Sequence, residues 1–169
     1  MAAEPHPIES DGARTVRRYV EEFLSGGDVA TATALAHEEL RVHQLDADVE
    51  RSGRALTVKR VQGLHESVPD YGLTIDELFD GGDTVTVRAT ASGTPTRTWN
   101  GLAPTGRSFA VPTVHVFRLE DGRIVEQWEL TDRLGVRQQL GLVPPTPRAL
   151  FALGRSRLRR WLGDRFGRS

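Results

Sequence analysis

At Pro69 the apolar residues of this chain change period, and that change restricts the fold more than any other feature. Upstream, in "ARTVRRYVEEFLSGGD", Val16, Tyr19, Val20, Phe23 and Leu24 recur at three and four residues and define one face of a helix. Gly26 and Gly27 stop it, and Asp28 is placed to cap a second short helix over "DVATATALAHEEL". "RVHQLDADVERSG" is weakly patterned and reads as a short strand followed by a loop. A third helix is expected from about Ser52 to Ser67, with Leu56, Val61 and Leu64 facing inward and Pro69 ending it.

Downstream the pattern alternates, as strands require. "YGLTIDELFD" and "DTVTVRATASG" flank an "FDGGDT" turn, and "RSFAVPTVHVFRLE" and "RIVEQWELTD" flank "LEDGR"; both turns have the glycine-acid chemistry of hairpins. Helices first and strands after predict an α+β fold, its N-terminal helices packed on one face of a curved antiparallel sheet.

The chain's 169 residues suffice for one domain with a core and a modest extension. Its composition, 38% hydrophobic and 27% charged, is that of an ordinary soluble globular protein. With no cysteine, disulfide scaffolds, thiolate nucleophiles and cysteine-ligated zinc are excluded. "MAAEPHPIESDG" lacks the basic start and apolar run of a secretory signal, so residues 1–12 are expected to be a flexible N-terminus and the address cytoplasmic. The domain is expected over 13–143, because the prolines of "GLVPPTPRAL" can neither continue a helix nor join a central strand. Residues 144–169 then form a proline linker and an amphipathic helical tail, with seven arginines and Asp164 as its single acid.

In the last strand, simple alternation sets Ile124, Glu126, Trp128, Leu130 and Asp132 on one face, and Val125, Gln127, Glu129 and Thr131 on the other. The preceding strand groups Val111, Thr113, His115 and Phe117. Sequence does not set the register between the two; if the faces coincide, His115, Trp128 and Asp132 share one apolar surface. An aspartate desolvated by aromatic neighbours suits proton abstraction beside a carbonyl. The same Asp132 is also a competent N-cap for "DRLGVRQQL", and His115 alone among valines also reads as a hydrogen-bonded core residue.

"GLAPTGRSFAVPTVHVFRLEDGRIVEQWELTDRLGVRQQLGL" resembles the C-terminal half of the SnoaL-like polyketide cyclases, also called ester cyclases. The resemblance is carried by Pro104 to Arg107, Arg118, Asp121 with Gly122, Trp128, Asp132 and Gln139 to Gly141, and extends over roughly residues 14 to 143. The chain departs from the pattern at Pro95 and Thr96, where a histidine is usual. The resemblance implies a conical nuclear-transport-factor-2-like barrel around an apolar pocket. It implies a cofactor-free intramolecular aldol closure of a polyketide ester, with Asp132 at the position of the general acid and base. His115 would then donate to the carbonyl oxygen that gains charge. Tyr19, Trp99, Trp128 and Phe117 would line the cavity and orient a small hydrophobic or aromatic ligand. A homodimer through the outer face of the sheet is expected on the same ground.

Two other readings of the fold stay open: a non-catalytic pocket for a small molecule, and another lyase, isomerase or epoxide hydrolase. His37, His43 and His65 lie on separate elements without ligand spacing, so no metal is expected. The chain has no G-x-S-x-G elbow and no P-loop. The arginine-rich tail is expected to lie on an anionic membrane surface, to pack across the acidic body or a partner subunit, or to remain disordered. That acidic body argues against nucleic acid as a partner.

Overall fold

The computed structural model describes residues 9–47 and 49–143, so the linker, the basic tail and the first eight residues lie outside the described residues. Helix α1, Asp11–Arg18, starts where the Ser10 hydroxyl accepts from the Ala13 amide, within the stretch expected to be flexible. It runs on into wider π-type turns over Tyr19–Ser25. Val16, Tyr19, Val20, Phe23 and Leu24 are all buried, as their spacing predicts. Helix α2, Val29–Leu35, is capped by Asp28, whose carboxylate accepts from the Ala30 and Thr31 amides at 3.0 and 3.3 Å.

The second helix ends earlier than expected. "AHEEL" opens strand β1, Ala36–Gln44, in which Leu40, Val42 and Gln44 are buried in alternation. Pairing with strands distant in sequence overrides the local helical preference of His-Glu-Glu-Leu. Strand β2, Val49–Ser52, returns antiparallel to β1 and leads into α3, Arg54–Ser67. On α3 the inward residues are Thr57 and Val61; Leu56, expected inside, is 54% exposed.

The strands after Pro69 follow the alternating pattern: β3, Gly72–Asp80; β4, Thr84–Gly93; β5, Phe109–Glu120; and β6, Arg123–Thr131. The β5–β6 turn has Asp121 and Gly122 at positive φ, the pairing a tight hairpin demands. A short α4, Arg133–Gln139, closes the described chain. The sheet order is β2-β1-β6-β5-β4-β3, antiparallel except where β1 runs parallel to β6. That long-range pairing makes β6 central and brings Gln44 into line with Glu129. Among the described residues no helix is long and apolar enough to cross a membrane.

One irregularity decides what the sheet presents. Residues β5 and β6 pair as Glu120↔Arg123 and Leu119↔Ile124 beside the turn, then as Arg118↔Glu126 and Phe117↔Gln127. Val125 is therefore an extra residue, a β-bulge, and beyond it the alternation of β6 reverses. Ile124, Gln127 and Glu129 face the core, while Glu126, Trp128 and Leu130 belong to the outer face.

Candidate active site

The inner faces of the central strands bring a row of side chains together. In register across β1, β6, β5 and β4 stand Gln44, Glu129, His115 and Val87. Gln44, Glu129 and His115 line a cavity of about 580 Å³ enclosed between the sheet, α3 and α4. Such a volume suits a ligand of small-molecule size. Its walls include Tyr71, just before β3, Leu73 of β3, and Trp99, which stacks on Phe109 with ring centroids 5.6 Å apart.

Glu129, 7% exposed, is the most fully coordinated carboxylate in this wall. Arg60 descends from α3 and donates to both its oxygens, Nη1 to Oε1 and Nη2 to Oε2, each at 2.9 Å. Gln44 Nε2 donates to Oε1 at 2.5 Å and Gln127 Nε2 to Oε2 at 3.2 Å. Burial pushes this carboxyl up, but the charge of Arg60 and the bonds from Gln44 and Arg60 outweigh it and hold the group below the usual carboxylate range. Arg51 in turn donates to Gln44 Oε1, which orients that amide toward Glu129.

His115, 5% exposed, is opposite Glu129 on β5. Burial pushes its imidazole down, against the attraction of Glu129, so the ring is neutral near pH 7. The hydrogen bonds assign its tautomer. Gln127 Nε2 already donates to Glu129, so its second hydrogen meets His115 Nδ1 at 3.3 Å and that nitrogen accepts. The ring proton is then on Nε2 and donates to Thr113 Oγ1 at 3.2 Å. Thr113 is also 2.9 Å from the Thr131 hydroxyl, and Thr131 lines the cavity as well.

Of the six residues singled out in the sequence, His115 and Trp99 reach the cavity wall. Asp132, Trp128, Tyr19 and Phe117 are not among its lining residues. Asp132 is exposed and caps α4, its Oδ1 accepting from the Gly135 amide at 2.8 Å. Trp128 is on the outer face, stacked on His43 at 5.3 Å and 13°. Both follow from the bulge, which turns Trp128 away from His115. Tyr19 and Phe117 are fully buried in edge-to-face contact, centroids 5.9 Å apart, as core beneath the site. The expected grouping of His115, Trp128 and Asp132 on one surface is thus replaced by His115, Glu129 and Gln127.

Sequence reading missed Glu129, Arg60, Gln44 and Gln127. One signal for the first was present: Gln127, Glu129 and Thr131 form an all-polar row in the last strand of a hairpin whose other strand has an alternate row, Phe109 to Leu119, that is apolar apart from Thr113 and His115. The histidines do not converge; His43 bonds Glu126 on the outer face, and His65 sits against Tyr71. Among the described residues no three His, Asp or Glu side chains are grouped to hold a metal ion.

A profile of the SnoaL-like polyketide cyclases matches residues 14–140, which spans both the helices and every strand of this sheet. The chain belongs to the SnoaL-like polyketide cyclase family. Among curated relatives, this SnoaL-like chain is 28% identical over 134 residues to the aklanonic acid methyl ester cyclase DauD of Streptomyces sp. (strain C5), covering 78% of this chain and 83% of the relative. It is 29% identical over 133 residues to the aklanonic acid methyl ester cyclase DnrD of Streptomyces peucetius, covering 78% and 92%. Among solved structures, IdmH of Streptomyces antibioticus superposes with a TM-score of 0.68 at 28% identity, over 78% of this chain and 99% of that one. The SnoaL-like, nuclear-transport-factor-2-like α+β architecture expected from the helix-then-strand order is therefore the fold of this protein.

Proposed function

We propose that this SnoaL-like protein closes a carbon–carbon bond within a polyketide ester by cofactor-free acid/base chemistry, with Glu129 and not the capping Asp132 as the acid/base group. The observation that carries this reading is the juxtaposition of Glu129 and His115 on one wall of the cavity. A carbon flanked by two carbonyls is already acidic, so the ionised Glu129 can take its proton. The resulting enolate carbon attacks a ketone carbon of the same molecule, and the carbonyl electron pair moves to oxygen. His115 Nε2–H, redirected from Thr113, hydrogen-bonds that oxygen as charge develops there. Glu129 returns its proton to the new alkoxide, so the protein ends unchanged. The arginine clamp keeps the carboxylate ionised before reaction.

The test uses aklanonic acid methyl ester, the compound for which the two curated relatives are named. Glu129→Gln should lower kcat by about 10²- to 10⁴-fold, the usual worth of a general acid/base, with a small change in KM. Asp132→Asn should leave kcat unchanged. Full turnover by the Glu129→Gln variant would remove Glu129 from the mechanism.

A non-catalytic pocket is the second reading, and the four donors that saturate Glu129 favour it. It is distinguished by wild-type protein that binds the ester tightly and returns it unchanged.

A further inference from the structure

Tyr71 brings to the cavity a polar group that the acid/base wall does not engage. In that wall the side chains are occupied with one another: Arg60, Gln44 and Gln127 all donate to Glu129, and His115 is bonded to Gln127 and Thr113. The Tyr71 hydroxyl has no hydrogen-bond partner among the described residues. Unlike the sealed hydroxyl of Tyr19, it is reachable from the cavity that the residue lines. A half-buried tyrosine normally gives its O–H a partner, so a hydroxyl presented without one is set up to meet what enters.

The side chain is held in place by its surroundings. The Tyr71 amide donates to the Val68 carbonyl at 3.0 Å, closing the turn through Pro69 and Asp70 that joins α3 to β3. His65 meets the ring edge-on, with centroids 5.8 Å apart and planes at 88°. Beneath the turn β4 ends at Gly93, where a Cβ would collide with Val68 and lie 3.3 Å from the Tyr71 Cα, so a bare backbone there lets the turn close on the sheet. Gly93 pairs with Phe109, and Val111 and Thr113 separate Phe109 from His115 along the inner face of β5. Tyr71 thus enters the cavity away from the acid/base pair, at the end where Trp99 stacks on Phe109. Burial pushes its ionisation above the usual tyrosine value, and Glu129 adds to that shift while Arg60 opposes it, so the hydroxyl stays protonated at neutral pH and is a neutral donor.

We infer that Tyr71 is a substrate-binding residue whose hydroxyl donates to an uncharged carbonyl or hydroxyl oxygen of the substrate, remote from the carbon that Glu129 deprotonates. This rests on the reading of the cavity as the substrate site and adds to it a contact that reads an oxygen away from the reaction. A neutral donor matches an ester, which brings no charge of its own.

The test compares Tyr71→Phe with the parent residue in a Glu129→Gln background, where aklanonic acid methyl ester should stay intact during titration calorimetry. Loss of the hydroxyl should weaken binding about two- to tenfold, the scale of one neutral hydrogen bond, and leave the thermal midpoint unchanged because the group bonds nothing in the protein. In otherwise wild-type protein the same substitution should raise KM by a similar factor at unchanged kcat, the signature of a contact made equally in ground and transition states. Unchanged affinity would overturn the inference, and so would a thermal midpoint that falls in step with affinity, which would give the hydroxyl a partner within the protein. Equal weakening by Tyr19→Phe, whose hydroxyl does not reach the cavity, would overturn it too, as would a fall in kcat at unchanged KM, which would place Tyr71 at the reacting atoms. If wild-type protein binds the ester without converting it, the acid/base reading fails and the Tyr71→Phe affinity still decides this contact. If wild-type protein does not bind the ester, both fall together.

Discussion

Arg60 meets both oxygens of Glu129 at 2.9 Å, one helix reaching across the cavity to set the ionisation of a sheet residue. Removing a single member of a buried pair strands the other. Arg60→Leu should therefore destabilise the fold by about 3 kcal/mol, the lower end of the range for broken buried pairs because the arginine side chain is 27% exposed. Urea denaturation checks the value, and Glu129→Gln combined with Arg60→Leu should recover part of the loss. A loss below about 0.5 kcal/mol would class the pair with surface ion pairs.

The pH dependence of stability follows from the direction of two shifts. Folded Glu129 titrates below its ordinary value, so its stabilisation is present above the unfolded carboxyl range, about pH 4.3, and is lost as pH falls through the folded value. Folded His115 also titrates below its ordinary value. Its contribution is complete above about pH 6.5 and declines as pH falls below it, because the unfolded chain takes up the proton first. Urea midpoints of wild type should fall between pH 7 and pH 5, and His115→Asn should flatten that segment alone. An unchanged slope in the variant would mean that His115 is not buried neutral.

At Asp132 two substitutions separate capping from proton transfer. Asp132→Ala should cost about 1 kcal/mol, the usual worth of an N-cap, whereas Asp132→Asn preserves the acceptor and should cost almost nothing. Thermal melts measure both. A large drop in ester turnover for the asparagine variant at unchanged stability would return the acid/base role to Asp132.

The two tryptophans should differ as their faces do. Trp99→Ala should weaken ligand binding about two- to tenfold, the scale of one lost aromatic contact, while Trp128→Phe, which alters a stack with His43 on the outer face, should not change it. Titration of a polycyclic aromatic ligand decides, and the reverse order would contradict the orientation of β6.

Tyr19 tests the core beneath the site. Its hydroxyl is buried and, among the described residues, has no hydrogen-bond partner. Tyr19→Phe should raise stability by up to about 1 kcal/mol by removing that unpaired group, with ligand affinity unchanged. A loss of stability would reveal a partner for the hydroxyl.

Much of this architecture is legible in the sequence because local signals and tertiary demands agree. Val16, Tyr19, Val20, Phe23 and Leu24 recur at helical spacing and are all buried; Asp28 caps where a short polar residue precedes a helix. His-Glu-Glu-Leu becomes strand because β1 is stabilised by β6, more than eighty residues downstream, which no local window contains. The site was half legible for a related reason. His115 was found from its own strand, but its partner depends on register, and register depends on one bulged residue. Arg60 and Gln44 come from elements with no sequence proximity to Glu129, so only the folded chain brings them together.

Val125 carries one more consequence. Because it lies outside the ladder, deleting it would leave Arg118 opposite Glu126 and Phe117 opposite Gln127, and the same side chains would still face the cavity. Distance along the chain from the Asp121–Gly122 turn is accordingly a poor ruler for this wall of the cavity. A motif search that counts residues from the turn would step over the clamped carboxylate in proteins whose hairpin is one residue longer or shorter. The dependable coordinate is lateral, read across the strands from the histidine.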